Sequence, residues 1–164
     1  EDDIKLRFLR LTAETGNKEL LNNAFISCTK SKAGAYIAKI LEIKASASII
    51  EVKRLLTFSG RPLIHDHIIV PAAAFKGLNK DKVEESSGSM YSMYESQFGV
   101  RMVRAEERLK AVAAQADVAQ SLGLKVGHPL LSIERVSFTY GDKPMEWRLG
   151  LCLTDDHHYM SELE

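Results

Sequence analysis

The residues best placed to do chemistry are two charged side chains on otherwise apolar strands. Segments 49–58 and 63–70 are rich in β-branched and aliphatic residues and flank a tight turn, which predicts a hairpin. Side chains on a strand alternate between its faces, so each strand has one even-numbered face. The first such face is apolar except for Arg54, and the second is apolar except for Asp66. A buried charge needs a partner or a ligand. Taken alone, the strands favour an internal ion pair slightly over a binding pocket.

A second pair of faces is predicted near the carboxyl end, in segment 143–153. One face is uniformly apolar and is predicted to be core. The other carries an acid, a base, a glycine and a cysteine, and period two alone leaves it either solvent-facing or lining a pocket. The apolar set is Met145, Trp147, Leu149 and Leu151, and the mixed set is Glu146, Arg148, Gly150 and Cys152.

Histidines and cysteines offer little else. His65 and His67 have a spacing that can hold a metal, but no further ligand cluster accompanies them, so we interpret them as exposed strand residues and predict no metal site and no cofactor. The His157-His158 pair is interpreted as part of a solvated polar tail. We find no nucleophile elbow, phosphate-binding loop or metalloprotease motif, and hence predict no catalytic residue.

Composition limits the class of protein. The 164 residues fit one domain, and 22 basic against 22 acidic residues give a formal net charge of zero. Such a balance argues against direct contact with nucleic acid or an anionic membrane. The two cysteines lie far apart in sequence, which favours a reducing, cytoplasmic setting. The chain opens on Glu1 rather than Met, so we expect a further segment upstream.

The elements around these residues alternate between strands and short helices, and most strands are joined as hairpins. This order predicts an α+β fold with an antiparallel sheet and helices packed on it. Besides the hairpin, we predict strands at 4–12, 100–113, 129–140 and 143–153, helices at 35–43, 86–98 and 114–122, a turn at 15–17 and helix ends at Gly99 and Gly123.

Several motifs occur in a distinctive order along the chain. The hairpin reads Arg-Leu-Leu-Thr-Phe-Ser-Gly-Arg-Pro from Arg54 and is followed by Phe-Lys-Gly-Leu from Phe75. Gly-Ser-Met-Tyr ends at Tyr91, a Leu-Gly-Leu follows from Leu122, and Pro-Met-Glu-Trp starts at Pro144. In this order and spacing the chain resembles the effector domain of GntR-type transcriptional regulators of the HutC branch, the UTRA domain, over nearly its whole length.

The resemblance implies a chorismate-lyase-like fold for residues 1–164 and a role in effector binding and dimerisation, with DNA contacted only through an upstream winged helix-turn-helix domain absent from this chain. It also implies that a small polar, anionic metabolite modulates DNA binding, and it shifts our interpretation of Arg54 and Asp66 to the pocket. The residues implied to bind the effector are Arg54, Asp66, Ser89 and Glu146, with Tyr91 and Arg148 as neighbours.

One departure from the family pattern bears on the ligand. The second Arg of the family's Arg-x-Arg is Leu56 here, which lowers the expectation of a sugar phosphate and favours a smaller carboxylate or a less anionic metabolite. The alternatives are a lyase-like enzyme acting on a small carboxylate and a purely dimerising domain. The effector, the operator and the direction of regulation are not predicted.

Overall fold

An antiparallel sheet with helices on both faces forms the body of the protein, which confirms the predicted α+β class. The computed structural model describes residues 11–13, 21–86 and 90–164. The strands are β1 (Leu11–Ala13), β2 (Leu21–Lys32), β3 (Ser48–Phe58), β4 (Arg61–Pro71), β5 (Arg104–Ala113), β6 (Pro129–Thr139), β7 (Lys143–Cys152) and β8 (His157–Tyr159). The helices are α1 (Gly34–Leu41), α2 (Lys80–Glu85), α3 (Met90–Phe98) and α4 (Ala116–Leu122), with single 3-10 turns at Ala72–Ala74 and Tyr140–Asp142.

The main sheet has six strands in the order β2-β3-β4-β7-β6-β5, and each neighbouring pair is antiparallel. Two hairpins, β3-β4 and β6-β7, meet at the centre of the sheet through the β4-β7 pair. The short strands β1 and β8 pair separately as a two-stranded ribbon. This topology places the charged positions of β3, β4, β6 and β7 on neighbouring strands.

The β3-β4 turn is built from two residues with positive φ. Ser59 has φ 49° and Gly60 has φ 77°. This pair of left-handed residues is the arrangement whose twist matches two right-twisted strands. The turn pairs Phe58 with Arg61, and a register shift between Leu56 and Thr57 then moves the pairing by one residue, so that Arg54 lies opposite Asp66.

Both faces of the sheet are covered. On the first, which we call the site face, α2, α3 and Phe75 pack over residues such as Ile50 and Ile68. On the opposite face, α1 packs over Ile49, Ile69 and Trp147, and α4 packs near Leu130. Met145 departs from the prediction that it shares a face with Trp147, because it packs in the cluster of the site face. The β6-β7 register shifts between Ser137 and Phe138, and this bulge breaks the period of two.

Two predicted boundaries differ from the structure. The helix predicted at 86–98 begins at Met90, and Ser86 instead closes α2, whose first turn is capped by the Asn79 side chain. The strand predicted at 100–113 begins at Arg104. The helix ends at Gly99 and Gly123 are confirmed, each with a positive φ. Most of the strand predicted at 4–12 and the turn at 15–17 lie outside the described residues.

The segment near the carboxyl end is more structured than its polar sequence indicated. His157 lies in β8 and stacks on Phe58 with the ring centroids 5.0 Å apart, so the prediction of a solvated tail is wrong here. In this position His157 Nε2 is buried and has no hydrogen-bond partner in the described part of the chain. None of the helices described has both the length and the apolar character that crossing a bilayer requires.

The β3-β4 turn predicts that substitutions at its two exposed central residues change the free energy of unfolding in opposite directions. Ser59→Asn should stabilise the domain by about 0.5 kcal/mol, because Asn tolerates the left-handed conformation better than Ser. Gly60→Ala should destabilise it by about 1 kcal/mol, because a Cβ is disfavoured there. Urea unfolding of both variants checks this; equal effects of the two substitutions would contradict the turn geometry.

Candidate functional site

The charged pair of the hairpin lies at the centre of the site face. Arg54 and Asp66 are cross-strand partners, each about 2 % exposed, and Arg54 Nε donates to Asp66 Oδ2 at 2.9 Å. Arg54 Nη1 also donates to Asn23 Oδ1 at 3.3 Å. The internal ion pair considered from the sequence therefore forms, and it is one part of a larger network.

Glu146 anchors the second part of the network. Its carboxylate is fully buried and accepts hydrogen bonds from both Nε and Nη2 of Arg148, at 3.0 and 2.9 Å. Tyr91 OH donates to Glu146 Oε1 at 2.8 Å, and Tyr94 OH donates to Glu146 Oε2 at 2.6 Å. Arg148 Nη1 lies 3.4 Å from Asp66 Oδ2, so Arg148 joins the two parts.

The third part extends the network toward the sheet edge. Arg135 Nη1 donates to Tyr91 OH at 3.1 Å, and Ser137 Oγ lies 3.1 Å from the same oxygen. Arg135 also donates through Nε and Nη2 to Glu107 Oε2, at 3.1 and 3.0 Å. The other oxygen of Glu107 accepts a 2.6 Å hydrogen bond from Tyr159 of β8. The network thus joins all six strands of the main sheet, α3 and the terminal ribbon.

The electrostatics follow from burial and pairing. Burial alone would raise the pKa of the Asp66 carboxyl, but the Arg148 and Arg54 guanidinium groups outweigh it and hold the pKa below its usual value. Burial and the nearby Glu146 carboxylate raise the pKa of the Tyr94 hydroxyl well above its usual value. Removal from water also raises the pKa of the Tyr91 hydroxyl, so both phenols remain hydrogen-bond donors.

The hydrogen-bonding capacity of the network is unevenly used. The two oxygens of Glu146 accept four hydrogen bonds, which fills the usual capacity of a carboxylate. Asp66 accepts both of its hydrogen bonds on Oδ2, and no residue in the described part of the chain donates to Oδ1. Arg148 has five N–H groups, of which three have described acceptors. The unused capacity therefore lies at Asp66 and Arg148.

Five of the six residues predicted for the effector site lie in this network. They are Arg54, Asp66, Tyr91, Glu146 and Arg148. The sixth, Ser89, lies outside the described residues. That a ligand binds there remains a prediction.

Sequence reasoning missed six members of the network. Arg135 lies on a face of β6 otherwise occupied by residues such as Leu131 and Ile133, so the pattern that identified Arg54 could have identified it. The sequence pattern does not identify Glu107, because both faces of its strand carry charged residues and neither face is apolar. The network members that no site prediction named are Asn23, Tyr94, Glu107, Arg135, Ser137 and Tyr159.

The remaining sequence candidates do not form a chemical site in the described residues. His67 is half-buried rather than exposed, with Nε2 2.5 Å from Glu51 Oε1 and its ring edge-on to Trp147. No group of three or more metal-ligating side chains occurs among residues 11–13, 21–86 and 90–164. Burial raises the pKa of the Cys152 thiol to about 12, which leaves it protonated and unreactive near neutral pH.

Asp66 generates a prediction about stability. Asp66→Asn should cost about 3–5 kcal/mol at pH 7, because it removes the buried carboxylate that pairs with Arg54 and one of the two that pair with Arg148. Since the folded pKa of Asp66 is depressed, its contribution is present above the unfolded pKa and is lost as the pH falls through the folded value. The parent should therefore lose stability below about pH 4, and the variant should lose less.

Urea unfolding at pH 7 and near pH 3 measures both effects. Asp142→Asn is the matched control, since Asp142 is exposed and pairs with the exposed Arg104. That control should change stability by less than about 0.5 kcal/mol. An Asp66→Asn protein as stable as the control would contradict the paired, buried geometry.

Comparison with known proteins places this geometry in a family. Residues 20–158 match the model of the UTRA domain. The structure is similar to that of the ligand-binding domain of a GntR-family transcriptional regulator from Bordetella bronchiseptica, with 40 % identity, a TM-score of 0.90 and coverage of 96 % of this chain and 98 % of that one.

Two curated relatives are transcriptional regulators of the helix-turn-helix type. The chain is 26 % identical to YurK from Bacillus subtilis over 148 residues, which is 90 % of this chain and 58 % of YurK. It is also 26 % identical to the repressor STM4068 from Salmonella typhimurium, over 77 % of this chain and 52 % of that protein. This chain thus spans somewhat over half the length of these two relatives. It belongs to the UTRA domain family, with the fold of the ligand-binding domains of GntR-family transcriptional regulators.

Proposed function

We propose that this domain binds a small polar metabolite on the site face and thereby modulates DNA binding by an upstream winged helix-turn-helix domain. The observation that carries the proposal is the network of three guanidinium and three carboxylate groups on one covered face of the sheet. Replacing such buried pairs by apolar residues is often neutral or stabilising, so the network is a poor device for stability alone. Its place in a ligand-binding family favours a role in recognition.

The proposed ligand is a small anion with further polar groups. The charges of the six described groups cancel, so an anion would be held by directed N–H donors rather than by net positive charge. Arg148 supplies such donors, its side chain is 12 % exposed, and its guanidinium carbon lies 5.0 Å from the centre of the Tyr91 ring. A guanidinium fork of this kind suits a carboxylate.

A physical route to the amino-terminal segment supports the proposed regulation. Tyr159, which donates to Glu107, lies in β8 opposite Leu11 of β1. A change in the network can therefore reach the ribbon that contains the first described residues. In this proposal the regulator belongs to the HutC branch, acts in the cytoplasm as a homodimer, as reading paired half-sites requires, and contacts DNA only through its upstream domain.

We infer binding rather than catalysis. The relatives named above are regulators, and the carboxylates of the network are held in ion pairs or saturated with hydrogen bonds instead of being poised for proton transfer. Incubation of the domain with chorismate tests the lyase-like alternative, because the two share a fold and fold alone does not determine function. Formation of product would contradict the proposal.

A thermal-shift screen of metabolites tests the proposed function directly. A ligand at a hundredfold excess over its dissociation constant should stabilise the domain by about 2.7 kcal/mol, a readily measured rise in melting temperature. For each hit, Arg148→Met should weaken binding by about 1.5–3 kcal/mol, the scale of a hydrogen bond to a charged group.

Arg104→Met is the matched control, since Arg104 is an exposed arginine that pairs with Asp142 and Glu106 at the sheet edge. It should leave ligand affinity unchanged. Equal affinities for all three proteins would place the ligand elsewhere and contradict the proposed site.

Tyr159→Phe tests the proposed route to the ribbon. With a hit from the screen bound, amide hydrogen exchange in β1 and β8 should change in the parent. In Tyr159→Phe that change should be lost, because the bond to Glu107 is absent, while ligand affinity stays within about threefold. Tyr140→Phe, at an exposed tyrosine, serves as control. A ribbon response that persists in Tyr159→Phe would refute this route without touching the binding site.

A further inference from the structure

The site face contains a carboxylate oxygen that has no hydrogen-bond donor among the described residues, and next to it two N–H groups that have no described acceptor. Asp66 Oδ1 receives no hydrogen bond from the described residues, although the Asp66 side chain is only 3 % exposed. The two N–H groups of Arg148 without a described acceptor belong to the same guanidinium that reaches Asp66 Oδ2 at 3.4 Å. An acceptor and a donor thus stand next to each other, whereas Glu146 has no capacity left to offer.

At Gly150 the fold leaves a space of about methyl size beside that oxygen. Gly150 is the cross-strand partner of both Asp66 and Ile133, and it is the position on β7 between Arg148 and Cys152 on the same face. A Cβ at Gly150 would lie 3.8 Å from Asp66 Oδ1, 3.7 Å from Ile64 Cγ2 and 3.9 Å from Cys152 Sγ. These are ordinary van der Waals distances, and the φ of Gly150 is not positive, so neither a clash nor backbone strain requires a glycine.

A glycine inside a strand weakens the strand, and where no bulge or bend requires it, it often marks the close approach of a ligand. The register through Gly150 is regular on both sides, with no bulge at this position. The neighbours away from Asp66 are apolar: Ile64 and Cys152 belong to one core cluster, with Ile133 packed against it. The space is therefore polar at one end and apolar at the other.

We propose that this space is a subsite for a 2-hydroxy or 2-amino carboxylate with a short apolar substituent. The ligand's hydroxyl or ammonium group donates to Asp66 Oδ1, its carboxylate accepts from the two N–H groups of Arg148, and its apolar substituent lies over Gly150 against Ile64. Gly150 then limits the size of the ligand. This assignment rests on the proposed function, since it specifies the chemistry of the same site.

Lactate, alanine and propionate test the donor requirement, because propionate has the same carbon skeleton without a donor. Binding to the ¹⁵N-labelled domain is followed by the amide signals of Asp66 and Gly150 and by the Nε–H signal of Arg148. Lactate or alanine should bind at least about tenfold more tightly than propionate. Equal binding of propionate, or no perturbation of these signals by any of the three, would overturn the subsite.

Gly150→Ala and Gly150→Ser test the space itself. Both should fold with melting temperatures no lower than the parent's, and both should weaken lactate or alanine binding at least about tenfold, because the new side chain occupies the space. The Ser hydroxyl can also donate to Asp66 Oδ1 in place of the ligand. Ala111→Val, which enlarges an exposed side chain on β5, should change neither property. Folded Gly150 variants that bind as tightly as the parent would overturn the proposal.

The outcomes separate this proposal from the broader one. A hit from the metabolite screen that loses affinity in Arg148→Met, yet binds Gly150→Ala normally, would uphold the ligand-binding function and reject the subsite. A screen without any hit that depends on Arg148 would reject the function itself.

Discussion

The buried carboxylate of Glu146 is the interaction on which the site depends. It is fully enclosed and receives hydrogen bonds from one guanidinium and two phenols, from β7 and from α3. An ionised carboxylate away from water is tolerable only when its lone pairs are filled in this way. Glu146 therefore fixes how α3 lies on the sheet and orients Arg148 toward Asp66. We interpret it as a positioning residue, because its own capacity is spent within the protein.

The sequence predicts the architecture more completely than it predicts the hydrogen-bond network. The hairpins, the helix ends at glycines and the faces with Arg54 and Asp66 follow from local chemistry: turn residues, capping and period two. The separation of α2 from α3 did not, because Ser86 suits either end of a helix and the choice depends on packing. His157 was misjudged for a related reason, since a polar run gives no sign that Phe58 will stack on it.

The sequence identifies members of the network where a charge interrupts an apolar face, and it does not identify them where the face gives no contrast. Arg54 and Asp66 stand out in their strands, but Glu107 lies in an edge strand whose two faces both carry charges. Its importance comes from Arg135 and Tyr159, which are 28 and 52 residues away in sequence. Such long-range pairing is set by strand order, β7-β6-β5, which no local pattern encodes.

The distribution of used and unused hydrogen bonds indicates how one site can both hold a ligand and report it. A ligand can shift an equilibrium only through contacts that differ between two states. In the proposed site, ligand contacts to Asp66 Oδ1 and to the spare N–H groups of Arg148 would add to the network without breaking it, and would therefore contribute affinity. Arg148, however, also holds Glu146 and lies over the Tyr91 ring. We therefore expect a displacement of that guanidinium to reach Glu146 and Tyr91, and through Arg135 and Glu107 the terminal ribbon, because these groups are joined by consecutive hydrogen bonds.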